Sequence, residues 1–287
     1  MWPMDLLAIY DKLKSLNTEF SFPQDARPFI YQEVIDLGGD AVSKTEYSGM
    51  GAVTEFMHSR DISLTFQGKK SLHDLLGWGP AKGFLPSNDA IVFVDNHDSQ
   101  RGLEVLGGLV ITYKDKRPYI MANAFMLAHT YGLPRLMSSY EFENVYQGPP
   151  ADANRNVVGR TLDENGECQS PWVCEHRWKP IVNMIKFRNV VRNITIGNWA
   201  DNGQNQLAFC RGNLGFIAFN NELSLNFKAT LQTCVPQGTY CDIITGEKKN
   251  AMCTGDTIEV DMNGKAEIVI PYEKEVPIVA FHVDSKL

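Results

Sequence analysis

Residues 95–101 read Asp-Asn-His-Asp-Ser-Gln-Arg, which crowds two carboxylates, two carboxamides, an imidazole and a guanidinium into one short stretch. Groups of these types can exchange protons with a substrate or grip its hydroxyls. The residues just before them, Ile91-Val92-Phe93-Val94, form an unbroken apolar run without alternation. Such a run reads as a strand buried on both faces, as in a parallel sheet. A parallel strand that opens at its C-terminal end into ionisable side chains is how a (β/α) barrel presents catalytic groups. The same pattern also describes a strand that simply ends in a polar turn.

Other elements must position this stretch. Asp5–Leu16 places Leu6, Leu7, Ile9, Tyr10, Leu13 and Leu16 at mostly helical spacing, so an amphipathic helix is expected. Phe29–Asp36 reads as a strand stopped by Gly38-Gly39, and Gly51–Phe56 as a shorter one. Helical and loop sequence fills 57–88. After Arg101 the chain is glycine-rich, as in a loop over strand ends. Pro118–Tyr131 is expected as a helix, Arg135–Ser138 as a strand with Pro134 at its entry, 141–175 as a polar excursion, and Trp178–Asn193 as a last helix.

This alternation predicts a parallel α/β domain over residues 1–195. From Ile196 short strands recur with turns between them: 206–211, 215–220, 238–242, 257–260, 266–270 and 278–283. They predict an antiparallel β-sandwich over 196–287. Only about four strand–helix units can be found, whereas a closed barrel needs eight strands. The α/β part is therefore either an open sheet or a domain that the chain enters midway.

Composition narrows the function classes. At 287 residues with 44% hydrophobic and 21% charged side chains, the chain is an ordinary globular sequence with room for more than one domain. A net charge of -7 argues against a nucleic-acid surface, and no apolar run is long enough for a membrane span. Met1-Trp2-Pro3-Met4-Asp5 has no signal-peptide pattern. The cysteines at 168, 174, 210, 234, 241 and 253 lack metal-ligand spacing. Cys168/Cys174 and Cys241/Cys253 suit short disulfide loops, which would imply an oxidising, secreted context. His58, His73, His129, His176 and His282 are expected to be structural, as are Trp172 and Trp178. Glu55 ends a strand as a site residue would, but a structural partner is the expected role. Asn193-Ile194-Thr195 is a formal glycosylation acceptor.

Taken together, the stretches F-I-Y-Q-E-V-I-D-L-G-G at 29–39, V-T-E-F at 53–56, F-V-D-N-H-D-x-Q-R-G at 93–102 and M-L-A-H-x-Y-G at 126–132 carry a resemblance. To them add R-x-M-S-S-Y at 135–140, W-V-C-E-H-R-W at 172–178, G-T-Y-C-D-I-I-T-G at 238–246 and D-S-K-L at 284–287. The chain resembles the animal α-amylases, retaining α-glucan hydrolases. The resemblance implies strands five to eight of a (β/α)8 barrel followed by an all-β Greek-key sandwich.

It also implies a chemistry. Retaining glycosidases set two carboxyl groups roughly 5–5.5 Å apart, one protonating the leaving oxygen and one attacking the sugar carbon. By resemblance Glu33 is the general acid/base, Asp98 the carboxylate that binds and distorts the sugar, and His97 a hydrogen-bonding partner of sugar hydroxyls. Asn96 and Arg135 match ligands of the chloride ion that animal members use to keep the acid protonated near neutral pH. For Arg135 the alternative is an ordinary salt bridge. In the family the nucleophilic Asp stands a few residues before a Met-Trp-Pro, and this chain begins Met1-Trp2-Pro3. The nucleophile and the calcium ligands are thus expected upstream of residue 1, so that no metal site is expected here and a fragment inactive by itself is. A non-catalytic, glucan-binding product is the alternative.

Further expectations are starch, glycogen and malto-oligosaccharides as substrates, proteinaceous inhibitors as partners, a monomer, and secretion. Family members usually carry Gly-His-Ala-Gly-Gly after Q-R-G; here Gly102–Gly108 reads G-L-E-V-L-G-G, so a substrate-contacting His is missing. Vertebrate members share two disulfides, which match Cys168–Cys174 and Cys241–Cys253. Cys210 and Cys234 are additional and form either a third bridge or free thiols.

Overall fold

A computed structural model describes residues 1–102, 106, 108–164 and 166–287. The chain resolves into two compact units. One comprises Met1–His58, Trp78–Val92 and Tyr131–Arg135; the other comprises Ser59–Gly77, Phe93–Thr130 and Leu136–Leu287.

The first unit is built on four parallel strands in sequence order: β1 (Tyr31–Gln32), β2 (Ala52–Thr54), β3 (Ala90–Val92) and β4 (Leu133–Pro134). Register runs Gln32 to Val53, Thr54 to Ile91 and Val92 to Pro134. Every residue of β2 and β3 is buried, as the unalternating apolar runs require. The ladders are shorter than the sequence suggests. Phe93 and Val94 stay buried but leave the sheet, and the last strand is Leu133–Pro134 rather than 135–138. Pro134 cannot donate to the ladder, and it is Arg135 whose N–H reaches Val92 O at 2.8 Å. Gly132, at φ +71°, lies so close to β3 that a Cβ would stand 2.4 Å from Val92 Cγ1.

Helix α1 (Pro3–Lys12) starts with Pro3 at its first turn, where the missing N–H costs nothing. The periodicity predicts a packed face, yet α1 buries none of its residues; Met4, Leu7 and Ile9 are exposed.

The second unit holds most of α2 (Phe56–Phe66), with α3 (Lys116–Ala128), α4 (Lys179–Val190) and the β-rich C-terminal region. Its main sheet is antiparallel in the order β14-β7-β6-β5, with β5 Ile196–Asp201, β6 Gln206–Arg211, β7 Gly215–Asn220 and β14 Ile278–His282. Facing it are the antiparallel pairs of β8 (Phe227–Gln232) with β13 (Lys265–Ile270) and of β9 (Gly238–Cys241) with β12 (Thr257–Val260). A short hairpin joins β10 (Lys248–Lys249) and β11 (Met252–Cys253). In β13, Ala266, Ile268 and Ile270 point into the core while Lys265, Glu267 and Val269 face out. Phe216, Ala218, Tyr240, Ile268 and Phe281 share that core.

Strands β6 and β7 are buried on both faces. Their outer side meets α2 and α3: Phe219 lies 6.0 Å from Phe66, and Phe209 lies 6.2 Å from Phe125, centroid to centroid. Disulfides close Cys168–Cys174, Cys210–Cys234 and Cys241–Cys253. Cys210 and Cys234 thus form the third bridge. The architecture is α/β with a parallel sheet, followed by an all-β antiparallel domain.

Candidate active site

Glu33 is the first residue past β1, so it stands at the C-terminal end of a parallel strand. The Val34 N–H donates to Thr54 Oγ1 at 3.0 Å, which fixes the backbone on the far side of Glu33 against β2. Beyond it, Asp36 accepts from the N–H groups of Gly38 (2.8 Å) and Lys44 (2.9 Å), pinning the following loop. Glu33 itself is exposed and lines a groove of about 580 Å³ together with Tyr10, Tyr31, Gln32, Val34 and Tyr47. Gln32 donates from Nε2 to the Tyr10 hydroxyl at 2.9 Å. A carboxyl group set among aromatic faces at the rim of a groove can reach a bound sugar, which stacks on such rings and accepts protons through its oxygens.

Arg135, one residue past β4, belongs to the same unit. Arg135 is exposed, with its guanidinium 5.5 Å over the Tyr31 ring. Among the described residues Arg135 makes no ion pair, so the salt-bridge alternative has no partner here.

Glu55 follows β2 and is fully buried. Lys44 Nζ donates to both its oxygens at 2.6 and 2.8 Å, and the Leu85 N–H adds a third bond at 2.8 Å. Burial pushes the Glu55 carboxyl above its ordinary range, while the Lys44 ammonium and the Leu85 N–H oppose that shift. The carboxylate is occupied as a structural partner. His58 is likewise structural, its ring lying within 6.3 Å of Trp78, Phe84 and Tyr131.

The stretch 95–101 lies in the second unit, where burial changes within three residues. Asp95 is buried, Asn96 half-buried, and His97 exposed. Asn96 Oδ1 accepts the N–H groups of Asp98 (3.1 Å) and Ser99 (2.7 Å), capping the single turn Ser99–Arg101. That turn presents Asp98 half-exposed, with His97 Nε2 at 3.4 Å from Asp98 Oδ2. The imidazole and the carboxylate are thus held side by side on a short, capped turn.

Sequence reasoning assigned no role to the anchors beneath this turn. Asp95 Oδ1 accepts from the Tyr119 hydroxyl of α3 at 3.0 Å, and Oδ2 has no hydrogen-bond partner among the described residues. Burial drives the Asp95 carboxyl well above the usual carboxylate range, and the nearby charge of Glu175 adds to the shift. At the other end of the turn Gln100 Oε1 accepts from Ser139 Oγ at 2.7 Å, and the Ser139 N–H donates to Glu175 Oε2 at 2.6 Å. Asp95 was visible in the motif, but Tyr119 and Glu175 come from distant segments and gave no local signal. Arg101 turns out to be structural. Its guanidinium donates to Val145 O and Gln147 O and lies 4.5 Å over the Phe142 ring, tying down the excursion after residue 140.

Leu103, Glu104, Val105 and Gly107, which replace the expected substrate-contacting loop, lie outside the described residues. No group of three or more His, Cys, Asp or Glu able to hold a metal ion occurs among the described residues, and no helix there is long and apolar enough to cross a membrane.

Three comparisons bear on this geometry. Residues 197–284 match the family model for the α-amylase C-terminal all-beta domain. All 287 residues align at 48% identity with the α-amylase of Tribolium castaneum, covering 58% of that protein. An α-amylase-related protein of Drosophila willistoni is 48% identical over 99% of the chain and 56% of its own length. In three dimensions the chain superposes, with a TM-score of 0.92 and 40% identity, on a crystal structure of an α-amylase I mutant of Eisenia fetida in complex with maltohexaose. That match covers 99% of the chain and 59% of the earthworm protein. The chain spans less than two thirds of the length of these relatives, and within that span it is similar to animal α-amylases in both sequence and fold.

Proposed function

We propose that residues 1–287 carry the acid/base part of an α-amylase, which hydrolyses α-1,4-glucosidic bonds inside starch and glycogen chains with retention. The observation that carries this reading is Glu33, exposed at the end of β1 on an aromatic-lined groove within Y-Q-E-V-I-D. In the proposed cycle Glu33 protonates the leaving glycosidic oxygen and then takes a proton from the incoming water. Asp98 accepts hydrogen bonds from ring hydroxyls, and His97, 3.4 Å from it, steadies that carboxylate and adds a polar contact of its own. Retention also needs a nucleophilic carboxylate. None of the 287 residues is assigned that role, so these residues alone are inactive on starch.

Chloride fits the residues proposed for it. Asn96 and Arg135, the residues that the resemblance gives to the anion, carry a carboxamide and an exposed guanidinium, both of them donors of the kind an anion accepts. When bound, chloride supplies a fixed negative charge. Calcium has no ligand set among the described residues, and no step is assigned to it. The division into a catalytic part at 1–195 and a sandwich at 196–287 belongs to the same reading. So do secretion, which the three disulfides support, and proteinaceous inhibitors as partners.

The test is a chimera in which residues 1–287 replace the aligned portion of the Tribolium castaneum enzyme. The chimera is expected to release reducing ends from starch, and residues 1–287 alone are not. Maltohexaose binding without turnover by the chimera would favour the glucan-binding alternative.

A further inference from the structure

The sequence contains a single Asn-x-Ser/Thr triplet, Asn193-Ile194-Thr195, and neither fold nor proposed catalysis gives it a task. It lies where α4 has ended and β5 is about to begin. Asn193 takes a left-handed conformation, φ 62°, at the crest of this turn. Asparagine tolerates that region better than most residues. The backbone on both sides is clamped from below. Buried Arg211 donates to Val191 O at 3.0 Å, to Ile194 O at 2.7 and 3.1 Å, and to Ala128 O. The Ile194 N–H returns to Val191 O at 3.1 Å, and Thr195 O accepts from Gly212 N at 3.1 Å.

Against this fixed base the two side chains that matter are presented outward. Arg192, Asn193 and Thr195 are all exposed, while Ile194 faces inward toward Gly212. Among the described residues no hydrogen bond engages the Asn193 carboxamide or the Thr195 hydroxyl. A carboxamide in αL usually justifies itself by a local hydrogen bond; this one makes none. It sits on the surface with room for a bulky, solvated substituent.

We propose that Asn193 is an N-glycosylation site, a conclusion that rests on the secretory reading of the disulfides. In the transfer, Asn193 Nδ2 forms a bond to the anomeric carbon of a lipid-diphosphate oligosaccharide. The C–O bond to the diphosphate breaks, its electron pair leaves with the diphosphate, and one Nδ2 proton is lost. Thr195 supplies the hydroxyl that the transferring enzyme reads. The glycan projects from a turn whose main chain Arg211 already holds, so its attachment disturbs neither α4 nor β5.

The experiment is translation of residues 1–287 behind a host signal sequence in the presence of microsomes. The borrowed leader makes entry independent of the protein's own route, so a failure of the secretory reading cannot imitate a failure of the site. Wild-type chains protected from added protease are expected to show one mass increment that endoglycosidase removes. Enzymatic release in heavy-oxygen water should place a labelled deamidation at position 193. T195A and N193Q should lose the increment, and T195S should retain it in part. Non-reducing peptide maps showing all three disulfides would establish that the variants fold. Protected, fully disulfide-bonded wild-type chains with an unmodified Asn193 would overturn the proposal, as would an increment that persists in T195A.

Discussion

Asp95 shows how one atom's surroundings set a residue's behaviour. Its carboxyl is buried, keeps one oxygen on the Tyr119 hydroxyl, and leaves the other without a partner among the described residues. Burial and the charge of Glu175 raise its folded-state pKa above the unfolded value of about 3.9. A raised carboxylate gives its full stability below the unfolded pKa and loses it as pH climbs through the folded one. D95N keeps an oxygen for Tyr119 and removes the titration. Thermal melts should therefore show D95N gaining on wild type between pH 5 and 8 and differing little near pH 3.5, both ranges being approximate. A loss of melting temperature that is the same at every pH would contradict this account.

At the scale of elements, the parallel strands are short and their ends are held by side chains. Lys44 and Glu55 link the loop after β1 to the end of β2 through a pair that is nearly solvent-free. K44M would strand a buried carboxylate, and removing one partner of such a pair costs about 3–5 kcal/mol. Urea unfolding should report that loss, and a change below ~1 kcal/mol would show the pair to be replaceable by water. Gly132 makes a second case. A Cβ there would stand 2.4 Å from Val92 Cγ1 at a φ of +71°, so G132A must either move β3 or strain its own backbone. A cost of about 1–3 kcal/mol is expected from the same unfolding measurement.

These elements also show what the sequence could and could not reveal. The unalternating run before Asp95 announced a buried parallel strand, and β6, β7 and β12 fall at the residues that alternation and turns indicate. Two long strands were missed. Residues 227–232 of β8 alternate as Phe-Lys-Ala-Thr-Leu-Gln, so that strand was legible and was passed over, whereas β5 carries a bulge between Gly197 and Ala200 that breaks the period. The expected strand 29–36 shrinks to Tyr31–Gln32, because Val34 bonds to the Thr54 side chain rather than to a neighbouring backbone. Glu33, Asn96, His97, Asp98 and Arg135 were singled out by the resemblance, and the structure places Glu33 and Arg135 one residue past β1 and β4 and the other three on the turn after Val94. Tyr119 and Glu175 were not, since their contact with Asp95 and Ser139 exists only after folding.

On the scale of the whole molecule, the C-terminal region is closed by bridges as well as by its core. The Cys210–Cys234 pair joins β6 to the segment after β8 across a separation of 24 residues. In the chain-entropy account a loop of that size stabilises by about 3–4 kcal/mol. C210S/C234S should lower unfolding stability by roughly that amount; no change would mean that the sandwich core holds this loop unaided.

The central claim concerns Glu33, and one measurement addresses it most directly. In the chimera with the Tribolium castaneum enzyme, kcat on starch is compared between wild type and E33Q, with maltohexaose affinity measured alongside. Loss of a general acid/base predicts a fall in kcat of about 10²–10⁴-fold with maltohexaose binding retained. An E33Q chimera that hydrolyses starch as fast as its parent would contradict the account.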